Sequence, residues 1–287
     1  MADPALLNRR VLAVKIDNHN LARPQSGIQT ADAVYELMVE GITRFILLFQ
    51  QSDTTYVGPI RSTRPTDGEL LDPLDATFAI SGGQAWVREG VMAHGVHIIG
   101  DTRPAMFRVD SRSAPHNLYG DTTLLRAEAD RREYPDDPPL VPLWSFGALP
   151  AGSPATVIDV DFGPGDLVTW TYDGTSYLRS SGEDPFDWED ENGETGQVSV
   201  DALVVMMAEA YTATPPGSGR PVPAMHTVGS GQAMVFAGGQ VVEGTWSRDS
   251  AEVPFTLTTA DGAPITVPPG REWISIVPDT RQVEFTP

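Results

Sequence analysis

The segment from residue 108 to residue 119 holds the densest group of chemically active side chains in the sequence. His116 lies in it, and because the ordinary pKa of histidine is close to neutrality, this side chain can serve as a general acid or base. Asp110 is an acid of the same segment, and we predict these two residues as the catalytic pair. Three further side chains of the segment are predicted to bind a ligand: Arg112, Asn117 and Tyr119.

A second polar group follows the first predicted strand. It comprises Asp17, Asn18, His19 and Arg23. Because ligands of open α/β sheets bind beyond the carboxyl ends of the strands, we predict all four as ligand-binding residues. Two structural alternatives remain open. The Asp and Asn side chains can bond only the backbone of their own loop, and His116 can donate a fixed hydrogen bond to a carboxylate such as Asp17.

A third group comprises Arg61, Ser62 and Arg64. Arginine can contact a carboxylate or a phosphate through two N–H groups at once, and serine adds a neutral donor. In a chain with few cations, this segment predicts an anion-binding site. The alternative is that both arginines form internal ion pairs with acids such as Glu36, Glu40 or Asp110.

The overall charge excludes one class of partner. The 287 residues include 39 acidic and 19 basic side chains, which gives a formal net charge of -20. Such a surface repels nucleic acid and anionic membranes, so we predict no nucleic-acid role. The acidity itself is typical of a solubility adaptation, and the sequence predicts no particular oligomeric state.

The chain has no cysteine, which excludes disulfides, thiolate metal sites and cysteine nucleophiles. The sequence also lacks a Gly-x-Ser-x-Gly elbow, a His-Glu-x-x-His helix, a phosphate loop and a dinucleotide-binding glycine motif. The alternating acids Asp187, Glu189 and Glu191 lack the glycine position and the twelfth-position acid of a calcium loop. We therefore predict no cofactor and no metal.

The N-terminal half, residues 1–149, must position these groups, and its strands and helices alternate. The predicted strands cover residues 11–16, 45–50, 76–80 and 96–99, and the predicted helices cover residues 30–39, 84–94 and 124–134. The helix at 30–39 is predicted from the apolar spacing of Ala31, Val34, Leu37 and Met38. We therefore predict an α+β or α/β domain with a mixed sheet and flanking helices.

Residues 150–287 predict a second, β-rich domain. Three pairs of β-prone segments flank turns that favour positive φ, at residues 173–174, 238–239 and 261–262. Residues 183–194 are predicted to form an acidic loop and residues 214–223 a surface connection. Two domains are also the natural expectation at this chain length.

Motifs spread along the chain resemble those of one bacterial family. The N-terminal domain of the YerB-like lipoproteins has motifs similar, in the same order, to IDNH (16–19), ARPQSG (22–27), ADAVYE (31–36), VEGITRF (39–45), GPIRSTR (58–64), SGG (81–83) and APHNLY (114–119). The C-terminal domain of that family resembles EGTW (243–246) and WISIVP (273–278). The resemblance covers residues 11–278.

The resemblance implies a two-domain extracytoplasmic protein of the cell envelope, anchored to the membrane by N-terminal lipidation, and it names no activity. The anchoring cysteine would precede Met1. The opening residues lack the features of a signal peptide, as expected of a cytoplasmic protein or of a chain that starts after such a signal. No apolar run reaches the roughly 18–20 residues of a membrane helix, so membrane contact is expected only through the anchor.

Three functions fit these residues. The first is an envelope protein that binds an anionic or glycan ligand where the three polar groups converge. The second is an envelope hydrolase or a glycan or phosphoryl transferase, with His116 as acid or base and with Arg61 and Arg64 stabilising negative charge. The third is a protein–protein scaffold that uses a strand edge of the C-terminal domain, with Trp246 and Trp273 as anchors, unless the two tryptophans pack in the core.

Overall fold

The chain is mostly β, with 41% of its residues in strands and 12% in helices. The computed structural model describes residues 4–139 and 141–287. The α-helices are α1 (Pro65–Leu71), α2 (Ala85–Ala93) and α3 (Thr122–Arg131), and short 3-10 helices cover Pro4–Asn8, Asn20–Ala22 and Asp72–Leu74. Across the described ranges, no helix combines the length and the apolar character needed to cross a bilayer.

The strands are numbered in chain order. They are β1 (Leu12–Asp17), β2 (Ala33–Met38), β3 (Thr43–Phe49), β4 (Thr77–Ala79), β5 (His97–Ile99), β6 (Met106–Arg108), β7 (Leu118–Gly120), β8 (Ser153–Pro154), β9 (Val157–Asp161), β10 (Leu167–Tyr172), β11 (Tyr177–Ser181), β12 (Asp184–Pro185), β13 (Asp187–Glu189), β14 (Thr195–Gln197), β15 (Ser199–Val200), β16 (Ala202–Ala208), β17 (Ala210–Ala213), β18 (Val222–Met225), β19 (Gly229–Ala237), β20 (Gln240–Arg248), β21 (Thr256–Thr258), β22 (Glu272–Pro278) and β23 (Val283–Thr286).

One large mixed sheet organises the molecule. Its eleven strands follow the order β21-β20-β19-β16-β22-β2-β3-β1-β4-β5, with β8 joined to β20. The β1–β4, β4–β5, β2–β22 and β16–β22 pairs are parallel, and the other pairs are antiparallel. Strands from both sides of the predicted boundary at residue 149 thus lie in one sheet, and the division into two domains at that residue stays a prediction.

Both faces of the main sheet are covered, which creates two apolar cores. Helices α1 and α2 pack on one face, where Leu70 and Val91 join the core. A second sheet, of order β12-β11-β10-β9-β23 with β15 joined to β11, packs on the other face together with α3. Trp170 of β10 and Trp273 of β22 meet edge to face in this second core, with ring centres 5.2 Å apart.

A buried ion pair lies in the core between the two sheets. Glu36 and Arg179 are both fully buried, and Arg179 Nη2 donates to Glu36 Oε1 at 2.8 Å. Glu36 also accepts hydrogen bonds from Thr43 Oγ1 and Trp273 Nε1, both at 2.8 Å. The Arg179 guanidinium stacks over the Phe186 ring, 3.8 Å from its centre. The carboxylate of β2 is therefore held by a cation from the second sheet.

The predicted helix at residues 30–39 is wrong, because this segment forms strand β2. The strand pairs with β3 on one side and with β22 on the other, and its side chains are buried on both faces. A strand buried on both faces has no alternation of apolar and polar residues, so its apolar positions can imitate helical spacing. The chain therefore passes from β1 to β3 without the helical crossover that the α/β prediction implies.

The other predicted elements correspond to elements of the structure. The helices expected at 84–94 and 124–134 are confirmed as α2 and α3, and the four expected strands as β1, β3, β4 and β5. Helix α1 was not predicted; it begins at Pro65, and the Asp67 carboxylate accepts the Arg64 N–H at 2.8 Å. In the C-terminal half, two of the expected turns join β10 to β11 and β19 to β20. The expected acidic loop at 183–194 contains β12 and β13.

Candidate functional site

The carboxylate of Asp17 is the centre of the candidate site. Asp17 is the last residue of β1 and is 1% exposed. Its Oδ2 lies 2.7 Å from His116 Nδ1 and 3.2 Å from Arg61 Nε, and its Oδ1 accepts the His19 backbone N–H at 3.2 Å. The contact with Arg61 is an ion pair without hydrogen-bond geometry. The end of β1 therefore brings the three predicted polar groups together around one acid.

His116 is oriented by this acid. A carboxylate can only accept, so the proton between the two groups lies on His116 Nδ1, and Nε2 is left as the second functional nitrogen. Within the described residues, Nε2 has no hydrogen-bond partner. The imidazole is 10% exposed and stacks on the ring of His19, with centres 4.7 Å apart. The structural alternative for His116, a fixed hydrogen bond to Asp17, is thus present in the structure.

His116 lines a cleft of about 480 Å³ beside the loop that follows β1. The cleft is lined by Asn20, Leu21, Arg23, Ser111, Arg112, Ser113, His116 and Glu189. A larger cleft of about 940 Å³ shares Asn20 and Arg23 with it and extends along Asp166, Asp184 and Asp187. Arg23 therefore stands between two connected depressions of the surface.

The loop after β1 is held in place by amide side chains. Asn18 is 1% exposed; its Oδ1 accepts from Arg23 Nε at 3.0 Å and from Gln25 Nε2 at 3.1 Å. Its Nδ2 donates to Thr43 Oγ1 at 2.7 Å, and Thr43 in turn donates to Glu36. A chain of hydrogen bonds therefore runs from the cleft to the buried Glu36–Arg179 pair. Asn18 supports the loop through other side chains and not, as the structural alternative supposed, by bonding the backbone of its own loop.

Arg112 lines the cleft, but its guanidinium is largely used by the fold. Its Nη1 donates to the carbonyls of Leu21 and Arg23, and its Nη2 donates to the carbonyl of Pro24 at 2.7 Å. The carboxylate of Glu189 lies 3.7 Å from Nη2. Arg112 thus ties the segment around His116 to the loop after β1.

Several predicted residues lie outside the cluster. Arg64 forms a two-point ion pair with Glu40, at 2.7 and 2.8 Å, which matches the internal pairing weighed for it. The Asn117 amide oxygen accepts from Arg108 at 2.8 Å. Ser62 offers its backbone carbonyl to Arg44 at 3.0 Å.

Asp110 does not join His116. The Val109 N–H donates to the Asn117 carbonyl at 3.0 Å, which closes a loop of residues 110–116 and leaves Asp110 exposed at its start. In the described part of the chain, no hydrogen bond or ion pair links Asp110 to His116. Asp17 occupies the place beside His116 that the sequence assigned to Asp110.

Tyr119 lies in the core and does not line the clefts described above. It is 1% exposed and stacks on Tyr56, with ring centres 4.5 Å apart, and burial raises the pKa of its hydroxyl to about 12.

The two tryptophans predicted as anchors of a scaffold are also buried. Trp246 donates to the Met207 carbonyl at 2.8 Å, and Trp273 donates to Glu36. The packing alternative for both tryptophans is therefore the one observed, and neither forms an exposed anchor.

The cations behind the site are strongly desolvated. Lys15, on β1, is fully buried and donates to Asp67 Oδ1 at 2.7 Å; burial lowers the pKa of its amine to about 8. Burial and the neighbouring Arg64 lower the pKa of Arg44 to about 10. Sequence analysis missed this cluster, since nothing in the local pattern separates a buried cation from an exposed one.

Between residues 4 and 139 and from 141 onward, no group of acids and histidines has the arrangement of a metal site.

Two family models, which together match most of the sequence, define the class of this protein: the chain belongs to the DUF3048 family. The family model described as "Protein of unknown function (DUF3048) N-terminal domain" matches residues 1–135, and the one described as "Protein of unknown function (DUF3048) C-terminal domain" matches residues 158–274. The candidate cluster of Asp17, Arg61 and His116 lies wholly within the first match.

The similar proteins include one from Bacillus subtilis (strain 168), named "Putative lipoprotein YerB". It is 29% identical over 281 residues, which cover 94% of this chain and 82% of that protein. The crystal structure of YerB protein from Bacillus subtilis matches with a TM-score of 0.82 at 26% identity, and the match covers 99% of this chain and 97% of that one. The YerB-like resemblance in the sequence is therefore confirmed.

Proposed function

We propose that this protein is an extracytoplasmic component of the cell envelope that binds an anionic or glycan ligand at the cleft beside His116. The observation that carries the proposal is the Asp17–His116 contact of 2.7 Å at the wall of that cleft. A buried carboxylate that fixes an imidazole gives the ligand a pre-oriented polar partner, which lowers the entropic cost of binding.

The local charge supports an anionic group on the ligand. The chain carries a net charge of -20, yet Arg23, Arg61 and Arg112 gather around this cleft and the acid behind it. Arg61 is 24% exposed, and among the described residues its terminal nitrogens make no hydrogen bond, so they are available to a carboxylate or a phosphate. Arg64 is paired with Glu40, so we do not include it among the residues that bind the ligand.

The proposed location outside the cytoplasm is based on the name of a relative, and it is part of the same proposal. The Bacillus subtilis relative is named a lipoprotein, and we extend this to a lipid-anchored position outside the cytoplasm for this protein. A ligand of the envelope, such as a glycan strand that carries carboxylate or phosphate groups, is then within reach. The strongly acidic surface is consistent with a protein that has no nucleic acid as a partner.

Isothermal titration calorimetry tests the binding function. The probes are inorganic phosphate and the disaccharide N-acetylglucosaminyl-N-acetylmuramic acid, which carries one carboxylate. We expect binding that weakens by about tenfold or more in His116→Asn and in Arg61→Gln, since each change removes a charged or strongly polar contact. The matched controls, His226→Asn and Arg64→Gln, change the same residue types outside the cleft and should bind as the unmodified protein does. Equal binding by His116→Asn and His226→Asn would contradict the proposed site.

A second candidate function is an envelope hydrolase or transferase, and the same dyad is the observation that favours it. With its proton on Nδ1 beside Asp17, His116 can accept a proton at Nε2 from water or from a hydroxyl of the ligand. Arg61 would stabilise negative charge, without Arg64. In this function Asp17 orients His116, in place of Asp110 as the acid of the predicted catalytic pair.

Turnover separates the two functions. Purified peptidoglycan and p-nitrophenyl phosphate are incubated with the protein, and product release is followed between pH 5 and 9. An enzyme should lose about a hundredfold or more of its rate in His116→Asn, because general acid–base catalysis contributes about that much. If the disaccharide binds but neither substrate releases product, the result supports the binding function and contradicts the proposal that the protein is an enzyme.

A further inference from the structure

A second, mostly apolar cleft lies at the far end of β1 from the candidate site. Its volume is about 510 Å³. Its lining includes the apolar side chains Leu7, Val11, Ala33, Leu48 and Leu74 and the polar side chains Asp32, Gln50, Gln51 and Glu272. The rest of the wall is formed by Pro139, Pro142, Leu143, Phe146, Pro269 and Gly270. Val11, Ala33 and Glu272 mark the amino ends of β1, β2 and β22, whereas Asp17 ends β1. At about 3.3 Å per residue, the two sites lie roughly 20 Å apart.

Glu272 is the unusual residue of this cleft. It is the first residue of β22 and is 4% exposed. Its cross-strand neighbours are Ala33 on β2 and Ala202 on β16, so small side chains flank its carboxyl on both sides. The indole N–H of Trp144 approaches the carboxyl without forming a regular hydrogen bond. In the described residues no cation pairs with Glu272, and its burial raises the pKa of the carboxyl to about 8.

A buried carboxyl without a cation beside it is costly to ionise, and a ligand that supplies the cation would offset that cost. The described lining contains two acids, Asp32 and Glu272, and no lysine or arginine. Asp32 is already used by the fold, since its Oδ2 accepts the backbone N–H groups of Gln50 at 2.6 Å and Gln51 at 2.7 Å. Glu272 is therefore the group left to contact a ligand.

We propose that this cleft binds an apolar ligand with a protonated amine, whose alkyl part packs on the apolar walls and whose ammonium pairs with Glu272. The apolar residues supply the area that drives burial, and leucine and phenylalanine side chains at the rim, Leu7 and Phe146, are about half exposed. The acid gives the site its preference for a cation over a neutral or anionic head. This site is independent of the cleft beside His116.

The pH dependence of binding follows from the ionisation of Glu272. Two titratable side chains lie near Glu272: burial raises the pKa of the Tyr35 hydroxyl further from neutrality, and the Asp32 carboxylate accepts the backbone N–H groups of Gln50 and Gln51. When an ammonium binds below pH 8, the proton of Glu272 must leave first. Affinity should therefore rise about fiftyfold from pH 6 to pH 8 and level off about twofold higher above pH 9.

Calorimetry with three matched probes tests the proposal: n-octylammonium, 1-octanol and octanoate share one chain and differ in the charge of the head. At pH 8.5 we expect n-octylammonium to bind about tenfold or more tightly than octanol, and octanoate to bind weakest. Equal affinity for the ammonium and the alcohol, no detectable binding of the ammonium, or an affinity that does not change between pH 6 and pH 8 would overturn the proposal.

Two variants identify the site. Glu272→Gln keeps the shape of the side chain and removes its charge, so the preference for the ammonium over the alcohol should fall to about onefold. His116→Asn should bind n-octylammonium as the unmodified protein does, because His116 lies at the opposite end of β1. A preference that persists in Glu272→Gln, or disappears in His116→Asn, would place the binding elsewhere and overturn the assignment.

Discussion

Replacement of Arg179 by methionine tests the buried polar contact between the two sheets. Arg179 is fully buried and is the cation that bonds Glu36, and methionine keeps a long apolar stem while it removes the charge. Glu36 then keeps only Thr43 and Trp273 as donors. Because breaking a buried pair leaves one charge without compensation, we expect a loss of about 3–5 kcal/mol in the free energy of unfolding.

Urea unfolding followed by tryptophan fluorescence measures this loss as a shift of the midpoint at unchanged slope. The double variant Glu36→Gln with Arg179→Met removes both charges, so it should recover a large part of the loss. The matched control is Arg131→Met on α3. Its partner is Glu128, its side chain is 68% exposed, and the midpoint should hardly move. A loss below about 1 kcal/mol for Arg179→Met, or a double variant no more stable than the single one, would refute the reasoning.

Three further predictions concern buried ionisable groups. The raised pKa of Glu272 means that the folded state binds more protons than the unfolded state between about pH 4.5 and 8, so the free energy of unfolding should fall as the pH rises through this window. Glu272→Gln should remove that slope in urea titrations. The lowered pKa of Lys15 has the opposite sign: stability should rise between about pH 8 and 10.5, and the rise should vanish in the double variant Lys15→Met with Asp67→Asn. Asp17→Asn should lower stability by about 2 kcal/mol, since it weakens the contact with His116, and an unchanged thermal midpoint would contradict this.

Local sequence patterns predicted the helices and strands that bury only one face, and those that begin or end at a recognisable capping or turn residue. Helix α3 begins after Asp121, whose carboxylate accepts the N–H groups of Thr123 and Leu124, and such a cap can be recognised in a sequence. Strand β2 was missed because both of its faces are buried. The layers that cover the two faces of β2 come from distant parts of the chain, so a short stretch of sequence around β2 does not reveal them.

The sequence predicted which residues form the candidate site better than it predicted which of them contact each other. The sequence placed Asp17 at the end of a strand and raised the contact with His116 as an alternative, and the structure has that contact. It also paired His116 with Asp110, which is exposed and does not contact His116. Arg64 and Glu40 are 24 residues apart, and their mutual contact depends on how α1 packs. Pairings of this kind are set by tertiary packing and cannot be read from neighbouring residues.

The position of β22 has a consequence for the synthesis of the chain. This strand is made near the end of the chain, yet it fills the gap between β2 and β16. Until residues 272–278 have emerged, β2 and β16 each present an unpaired edge, and unpaired edges recruit other strands. The nascent chain therefore cannot close its main sheet from the N-terminus onward. A chain cut short before β22 would keep both of these edges unpaired and would be prone to pair with other strands.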